Sequence, residues 1–417
     1  MTTTDYVLDL AERARNASVA LRTLSTATKN AALHAMANDL VARQDEIFET
    51  NARDVERAKE RGLTGALLSR LELNAKKVAA MADGCRQVAG LPDPVGRVVS
   101  GERRPNGLAI EQVRVPLGVV AVIFESRPNV TVDAAILALK SGNAVILRGG
   151  SEALATNALL ARIISQAATR AGVPDGAIGF VETSDRAASA QLATLSSHID
   201  LIVPRGGEGL KKALMSVATV PVIFAAGGVC HVFVDASADL EIAANIAVNA
   251  KVSNPGVCNA LETLLVHRQI AEEFLPLAAR RLREKNVVLR GDARARQLVP
   301  DMDEATEADW EAEYLDLTLA VRVLDSLDEA VAHINHYGTH HSDAIVTTSF
   351  PNAERFVREV DSAAVYVNAS TRFTDGFEFG LGAEVGISTQ KLHARGPLGL
   401  DALTSTKYIV RGDGQVR

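Results

Sequence analysis

Cysteine is scarce in this chain, whose 417 residues include only Cys85, Cys230 and Cys258. The three lie far apart, and no CxxC pair is present to hold a metal ion. A disulfide framework and a structural zinc site are therefore not indicated. We expect a reducing compartment and no bound metal.

Long apolar runs and surplus positive charge are missing as well. The longest strongly apolar run, residues 117–124, is far too short to span a bilayer, and the N-terminal stretch mixes acidic and basic residues, unlike a signal peptide. The formal net charge is −7, with basic residues interspersed among acidic ones, which argues against nucleic acid or an acidic membrane surface as a partner. We expect a cytoplasmic protein with neither partner.

Apolar residues are abundant and follow two periodicities. They make up 47% of the chain, enough for a core that at this length usually divides into lobes. From about 5 to 73 they recur three and four apart, as in amphipathic helices. Strands then alternate with helices from 119 to a last strand at 221–224, and again from 262 to 367. This predicts two parallel α/β lobes with a ligand cleft between them.

The C-terminal segment, residues 403–414, has the pattern of one more strand. Two pairing partners are compatible with this strand, namely the hairpin around Arg114 and a neighbouring subunit.

Two glycine-containing loops follow predicted strands. VILRGGSEA ends a strand at Arg148 and enters a helix at Ser151, and LIVPRGGEGLKK repeats this plan with Gly206 and Gly207. Backbone N–H groups and a guanidinium there could meet a phosphate or a ribose. One such loop is a weak signal, because glycine commonly serves only as a turn, but two on neighbouring units make a dinucleotide plausible. Neither loop has the usual Rossmann or P-loop spacing.

Cys258 lies in the stretch KVSNPGVCNALETLLVH. Most free cysteines are small buried hydrophobes, and residue type alone favours that interpretation. The Pro-Gly turn before the thiol and the expected end of a helix at Lys251 favour a nucleophile on a loop instead. Cys85 and Cys230 lack this setting, so we interpret them as structural.

Several segments together resemble the aldehyde dehydrogenase superfamily over nearly the whole chain, and within it the glutamate-5-semialdehyde dehydrogenase branch. They include VPLGVVAVIFESRPNV, NAVILRGGSEA, LIVPRGGEG, GVCHVFVD, NPGVCNALETLLVH and FEFGLGAEVGIST. The resemblance implies a cofactor-binding lobe of residues 1–98 and 116–229 and a catalytic lobe of residues 230–398. It also implies a small β oligomerisation element of residues 99–115 and 399–417.

The resemblance also implies roles for individual residues. Cys258 stands at the nucleophile position, with Asn129 as the nearest candidate for the oxyanion asparagine, although an alignment without an insertion delivers Glu125 there. The backbone N–H of Cys258 is the better oxyanion donor on this comparison. The coenzyme is NADPH, and its expected ligands are Arg148, Gly149, Ser151, Gly206, Gly207 and Glu313. Arg148 and Ser151 correspond to the residues that hold the adenosine ribose and its 2′-phosphate, and Glu313 to the one that holds the nicotinamide ribose.

One departure from the general family pattern is informative. Hydrolytic members have a glutamate that activates water just before a Gly-Gly pair, whereas FAAGGVC places Ala225 at that position. An alanine cannot take a proton, so thioester hydrolysis loses its base. This favours a reductase that starts from an acyl phosphate.

The implied reaction is the NADPH-dependent reduction of L-glutamyl 5-phosphate to L-glutamate 5-semialdehyde and phosphate through a cysteine thioester, the second step of proline synthesis from glutamate. The implied partners are further copies of the chain and glutamate 5-kinase. The alternatives are a hydrolytic or CoA-acylating aldehyde dehydrogenase and a catalytically idle nucleotide-binding homologue.

Residues that contact the substrate are less sharply indicated. For each candidate, a solvated surface charge is an equally good interpretation, and we interpret His340 and His341 as structural turn residues. The candidates are Arg127, Arg372 and Lys140 for the anionic groups and Glu125, Asp375 and Glu378 for the ammonium group.

Overall fold

The computed structural model describes residues 2–224 and 227–417, and these divide into two compact units. The first comprises residues 2–224, 380–386 and 397–417, and the second comprises 227–379 and 387–396.

The helices in chain order are α1 (Thr3–Leu21), α2 (Thr26–Ala42), α3 (Gln44–Glu60), α4 (Gly65–Leu71), α5 (Ala75–Gly90), α6 (Asn129–Lys140), α7 (Leu154–Arg170), α8 (Arg186–Thr194), α9 (Glu208–Met215), α10 (Leu240–Val252), α11 (Arg268–Arg283), α12 (Ala293–Leu298), α13 (Glu307–Trp310), α14 (Leu327–Tyr337) and α15 (Phe350–Glu359). The strands are β1 (Val98–Arg103), β2 (Ala109–Pro116), β3 (Val119–Phe124), β4 (Ala144–Arg148), β5 (Ile178–Phe180), β6 (Leu201–Arg205), β7 (Cys230–Val234), β8 (Leu261–His267), β9 (Val288–Gly291), β10 (Asp303–Glu304), β11 (Thr318–Leu324), β12 (Ser342–Val346), β13 (Ala364–Val367), β14 (Ile387–Ser388), β15 (Gly396–Pro397) and β16 (Thr404–Arg411).

The first unit contains a parallel sheet with strand order β5-β4-β3-β6. Every residue of β3 is buried, which explains its continuous apolar run VVAVIF. Helices α1 and α6 pack against β4, and α2 packs against α5 and α7. The amphipathic helices predicted for residues 5–73 are confirmed as α1 to α4.

A separate antiparallel sheet in this unit has the order β1-β2-β16. The C-terminal strand β16 runs alongside β2 from Thr404, opposite Pro116, to Arg411, opposite Ala109. The hairpin is therefore the partner of the C-terminal strand within the chain.

The second unit contains a parallel sheet with the order β10-β9-β11-β8-β7-β12-β13. Strands β7 and β8 lie in its interior, and both are buried along their whole length. Helices α10 and α11 cover β8, with an apolar core between them. The α/β fold class with parallel sheets, predicted from the strand and helix alternation, is confirmed.

Two strand predictions need correction. Residues 221–224 form only a single bridge, Val222 to Ile202, because Pro221 has no N–H to donate and contributes only its carbonyl oxygen. Conversely, β7 was not predicted as a separate strand, because CHVFV is short and contains a histidine. Within the described residues, no helix combines the length and apolar character needed to cross a membrane.

Candidate active site

The loops that follow three neighbouring strands meet at one edge of the first sheet. Strands β4, β3 and β6 are adjacent and parallel, so their carboxyl ends lie side by side. This edge carries Arg148 from β4, Glu125 and Ser126 just after β3, and Gly206 and Gly207 just after β6. Ligands of parallel sheets bind at such edges.

Arg148 has the environment of an anion ligand. Its side chain is half-buried, and its buried Nε has no hydrogen-bond partner among the residues that the structure describes. Burial lowers the pKa of this guanidinium, and the nearby carboxylate of Glu152 partly opposes that effect. Ser151 is exposed three residues further on. An unpaired guanidinium N–H beside an exposed hydroxyl suits a phosphate on a ribose.

The loop after β4 passes too close to its neighbours to carry side chains. A Cβ on Gly149 would lie 2.2 Å from Nδ2 of the buried Asn157, and one on Gly150 would lie 2.1 Å from Oε1 of Glu152. Glu152 in turn accepts hydrogen bonds from the N–H of Ser126 at 2.7 Å and from its hydroxyl at 2.6 Å. Sequence reasoning missed Glu152, which fixes the loop after β3 against the loop after β4.

The loop after β6 offers a second anion-binding position. Gly207 caps α9, and its N–H donates to Oε2 of the exposed Glu125 at 3.1 Å. A Cβ on Gly206 would lie 2.6 Å from the same carboxylate oxygen. Helix N-termini favour negative charge, so a carboxylate here occupies a place that equally suits a phosphate. Together with Arg148, these groups fit a phosphorylated dinucleotide.

Asn129 is the first residue of α6 and is exposed. Its amide donates one hydrogen bond, 2.8 Å long, to Asp133 within the same helix. Burial raises the pKa of Asp133 to about 6, and the bond from Asn129 opposes that rise. The structure thus ties Asn129 to its own helix, and its role as an oxyanion donor stays a prediction.

Arg127 is half-buried in the turn before α6. Lys140, another candidate for the substrate's anionic groups, is fully buried. Its Nζ donates to Oδ1 of Asn30 at 2.6 Å and to the carbonyl of Ala89 at 2.9 Å. These two bonds hold the ammonium group of Lys140 in the interior of the first unit. We therefore do not propose Lys140 as a substrate ligand.

Cys258 lies in the second unit, on the loop between α10 and β8. Its side chain is partly exposed, whereas Cys85 and Cys230 are fully buried. Burial raises the pKa of Cys85 to about 12 and raises the pKa of Cys230 as well. A thiol with a raised pKa is a poor nucleophile, so Cys85 and Cys230 are poor candidates and Cys258 stays the candidate nucleophile.

Arg372 lies beside the cysteine loop. Its Nε donates to the hydroxyl of Ser253 at 3.0 Å, and its Nη1 donates to the amide oxygen of Asn259, so the guanidinium spans the loop that carries Cys258. Burial lowers the pKa of Arg372, and attraction to Cys258 partly offsets this. A neighbouring arginine favours a thiolate. Sequence reasoning offered Arg372 as a substrate ligand and missed this relation to the thiol.

Asn259 also holds the cysteine loop in place through hydrogen bonds. Its side-chain amide nitrogen donates to the backbone carbonyl oxygens of Thr374 at 2.9 Å and Arg372 at 3.3 Å. Its backbone carbonyl oxygen accepts from the hydroxyl of Thr371 at 2.8 Å. These partners belong to the short 3₁₀ turn Thr371–Phe373 and the residue after it. Asn259 directly follows the cysteine, which is the one signal in the sequence that could have indicated it.

The carboxylate of Asp375 already accepts a hydrogen bond from the backbone. It accepts the N–H of Phe377 at 2.8 Å, while Glu378 is exposed. Both remain candidates for the ammonium group.

Glu313 and Cys258 both contact Gly228. Oε1 of Glu313 accepts the N–H of Gly228 at 2.7 Å. A Cβ on Gly228 would lie only 1.4 Å from the carbonyl oxygen of Cys258. Cys230 donates its thiol proton to that carbonyl at 3.2 Å. Gly228 thus contacts both the expected nicotinamide-ribose ligand, Glu313, and the expected nucleophile, Cys258.

The adjacent histidines have structural partners. Nδ1 of His340 bonds to the carbonyl oxygen of Asp361 at 2.8 Å, and Nδ1 of the fully buried His341 bonds to the hydroxyl of Ser342 at 2.8 Å. Burial lowers the pKa of His341 to about 4, so the ring is neutral near pH 7. Ala225, the residue at the base position, lies outside the described residues.

Comparison with known proteins agrees with this architecture. A model of the aldehyde dehydrogenase family matches residues 1–311. The gamma-glutamyl phosphate reductase of Clostridium novyi is 56% identical over 99% of this chain and 99% of its own length, and that of Moorella thermoacetica is 58% identical over 97% of each. The crystal structure of gamma-glutamyl phosphate reductase from Thermotoga maritima matches with a TM-score of 0.95 at 49% identity, covering 99% of both chains.

The chain therefore belongs to the aldehyde dehydrogenase family, and it is an oxidoreductase. The resemblance found in the sequence is confirmed. Within the family, identity above one half over almost the full length groups it with the gamma-glutamyl phosphate reductases.

We predict that Gly228→Ala destabilises the protein by about 1–3 kcal/mol, because the added methyl group must displace the backbone of Cys258. The measurement is the free energy of unfolding in urea. The matched control is Gly209→Ala, where a Cβ has nothing within 4 Å, so its stability is unchanged or higher. Equal stability of the two variants would contradict the close contact.

We predict that His341 makes the protein less stable in acid. The folded pKa of about 4 lies below the ordinary value of 6.5, so its contribution is complete above pH 6.5 and is lost as the pH falls toward 4. Between pH 6.5 and 5, wild type should lose up to about 2 kcal/mol relative to His341→Asn. Urea unfolding at both pH values measures this, and a difference independent of pH would refute it.

Proposed function

We propose that the protein catalyses the NADPH-dependent reduction of L-glutamyl 5-phosphate to L-glutamate 5-semialdehyde and phosphate, the second step of proline synthesis from glutamate. The observation that carries this proposal is the partly exposed thiol of Cys258 beside Arg372, in a chain more than half identical to enzymes named gamma-glutamyl phosphate reductase. The reducing coenzyme supplies the hydride.

Cys258 is the nucleophile in this reaction. Its thiolate attacks the γ-carbonyl carbon, the C–O bond to phosphate breaks, and phosphate leaves with the electron pair, so that the acyl group becomes a thioester on Cys258. After hydride addition, the thiohemiacetal on Cys258 releases the semialdehyde and regenerates the thiolate. Arg372 holds the negative charge of the thiolate before the attack and after the release. The backbone N–H of Cys258 and the amide of Asn129 are the proposed oxyanion donors.

Coenzyme ligands are proposed in each unit. In the first, Arg148 and Ser151 hold the 2′-phosphate and ribose of the adenosine half, and the N–H groups around Gly149, Gly206 and Gly207 hold phosphate oxygens. In the second, Glu313 holds the nicotinamide ribose. The proposed preference for NADPH over NADH rests on Arg148 and Ser151.

Substrate recognition is proposed for Arg127 and Glu125, with Arg372 near the reacting carbonyl. The alanine at position 225 leaves the thioester without a base for water, which fits a reductase and disfavours the hydrolytic alternative. We further propose a cytoplasmic homo-oligomer, with residues 99–115 and 399–417 as its assembly strands, and glutamate 5-kinase as a candidate partner that would supply the unstable acyl phosphate.

We predict that the reverse reaction depends on phosphate. With L-glutamate 5-semialdehyde and NADP, omission of inorganic phosphate should slow NADP reduction about 100-fold or more, because water lacks the base that contributes at least this factor. Equal rates without phosphate would point to a hydrolytic dehydrogenase. Acceleration by coenzyme A in place of phosphate would point to a CoA-acylating enzyme.

Cys258→Ala provides the control for this assay. It should bind NADPH like wild type and show no turnover, because the thioester cannot form. Turnover above background would remove Cys258 from the mechanism. Failure of wild-type protein to turn over any of these substrates while binding NADPH would favour an idle homologue.

We predict that Arg148→Gln weakens NADPH binding about 10- to 100-fold but changes NADH binding less than about threefold, because one charge-assisted hydrogen bond to the 2′-phosphate is lost. Fluorescence titration of the coenzyme against protein in the Cys258→Ala background measures this. Arg186→Gln is the control, since it removes an exposed positive charge that interacts with Arg148. A larger loss at Arg186 would move the 2′-phosphate site there.

A further inference from the structure

The proposed reaction makes no use of a buried ion pair in the second unit. Nζ of Lys251 lies 2.6 Å from Oε2 of Glu262, and both side chains are fully buried. Lys251 lies in the last turn of α10 and Glu262 is the second residue of β8. The pair therefore joins the two ends of the loop that carries Cys258.

Such a pair is a poor source of stability. Removing two charges from water costs about as much free energy as their attraction returns, and apolar residues of similar volume often stabilise a protein equally well. Accordingly, burial lowers the pKa of Lys251 and raises the pKa of Glu262 in spite of their mutual attraction. The geometry that the pair imposes is a better explanation for it.

Glu262 occupies an irregular position in its strand. Cys230 of β7 pairs with Leu261 and His231 pairs with Thr263, so the register shifts by one residue at Glu262, as it does in a β-bulge. Bulges redirect a side chain relative to the regular alternation of a strand. Here the bulged side chain reaches both Lys251 and a neighbouring loop.

The second contact of Glu262 holds a strained turn. Its Oε1 accepts the N–H of Leu315 at 3.2 Å, and Leu315 has a φ of 54°. A non-glycine residue adopts this left-handed conformation only when its surroundings require it. Glu262 is thus one of the groups that fix the turn that starts at Glu313.

Glu313 is also connected to the cysteine loop through Gly228. It accepts the N–H of Gly228, and Gly228 lies against the carbonyl of Cys258. The cysteine loop is therefore connected to the segment around Glu313 in two ways. One connection runs through Gly228, and the other runs through the Lys251–Glu262 ion pair, which joins the two ends of the loop. We propose that the Lys251–Glu262 pair is a positioning device that holds Glu313 at a fixed distance from Cys258. This inference rests on the proposed function, in which those two residues hold the nicotinamide ribose and the thioester.

The test replaces both charges at once. Lys251→Met with Glu262→Gln leaves no unpaired buried charge and keeps an amide oxygen for Leu315. We expect kcat in the phosphate-dependent reverse reaction to fall about tenfold or more, because small displacements of reacting groups have large effects. The urea midpoint should stay near the wild-type value. The dissociation constant for NADPH should rise by a smaller factor than kcat falls, because only the nicotinamide-ribose ligand is displaced and the proposed ligands of the adenosine half are unchanged.

The matched control is Lys29→Met with Asp93→Asn. This pair is also buried, with side chains 0% and 10% exposed and an Nζ to Oδ2 distance of 2.9 Å, but it lies in the first unit. It should leave kcat at the wild-type value. An equal loss of kcat in both double variants would overturn the positioning role. So would a loss of kcat in the Lys251/Glu262 variant that is accompanied by a lower urea midpoint.

A second readout needs no turnover. Iodoacetamide should alkylate Cys258 in the coenzyme-free test variant at least about threefold more slowly than in wild type, because the loop is held less closely to Arg372, and the control pair should show the wild-type rate. Mass spectrometry of the cysteine peptide measures it. Wild-type kcat together with a wild-type alkylation rate would refute the proposal.

A milder variant covers the case in which the double variant does not fold. Glu262→Asp keeps both charges but shortens the reach to Leu315, so the same separation of kcat from coenzyme affinity is expected, and unchanged kcat would overturn the inference. Turnover by Cys258→Ala would instead overturn the proposed function, and it would leave the alkylation comparison between the pairs intact.

Discussion

The position of the loop that carries Cys258 depends on a backbone contact with Gly228, where only a glycine fits. Gly228 passes so close to the carbonyl of Cys258 that a Cβ would lie 1.4 Å from its oxygen. Two segments that precede adjacent strands, β7 and β8, therefore meet backbone to backbone, and Cys230 binds the same carbonyl from the core. These backbone contacts therefore fix the position of Cys258, the proposed nucleophile.

Both units place an arginine where an anion is expected. Arg148 ends a strand of the first sheet, and Arg372 spans the cysteine loop of the second unit. Burial lowers the pKa of each guanidinium, yet arginine keeps its proton in proteins where lysine often does not. A half-buried arginine thus offers a permanent positive charge that is only weakly hydrated, which suits a phosphate in one unit and a thiolate in the other.

The sequence predicts the elements better than it predicts the contacts between them. Regular strand and helix alternation gives most boundaries in both sheets to within a few residues, but it misses β7, because a buried five-residue strand with a histidine has no distinctive period. The relation between Arg372 and the cysteine loop joins residues more than a hundred positions apart, and only the fold brings them together. Lys251 and Glu262 flank the cysteine in the sequence, but isolated charged residues usually indicate a solvated surface, so the sequence does not predict their burial.

Three described side chains near the cysteine loop, those of Arg372, Cys230 and His341, are poor proton acceptors. Arg372 cannot accept a proton, the raised pKa of Cys230 keeps that thiol protonated, and the lowered pKa of His341 makes its ring a poor acceptor. A thioester on Cys258 would therefore meet no strong base among these neighbours to activate water, and it would persist until a better nucleophile or a hydride reaches it. These three side chains fit the proposed reductive role, which also draws on the alanine at position 225.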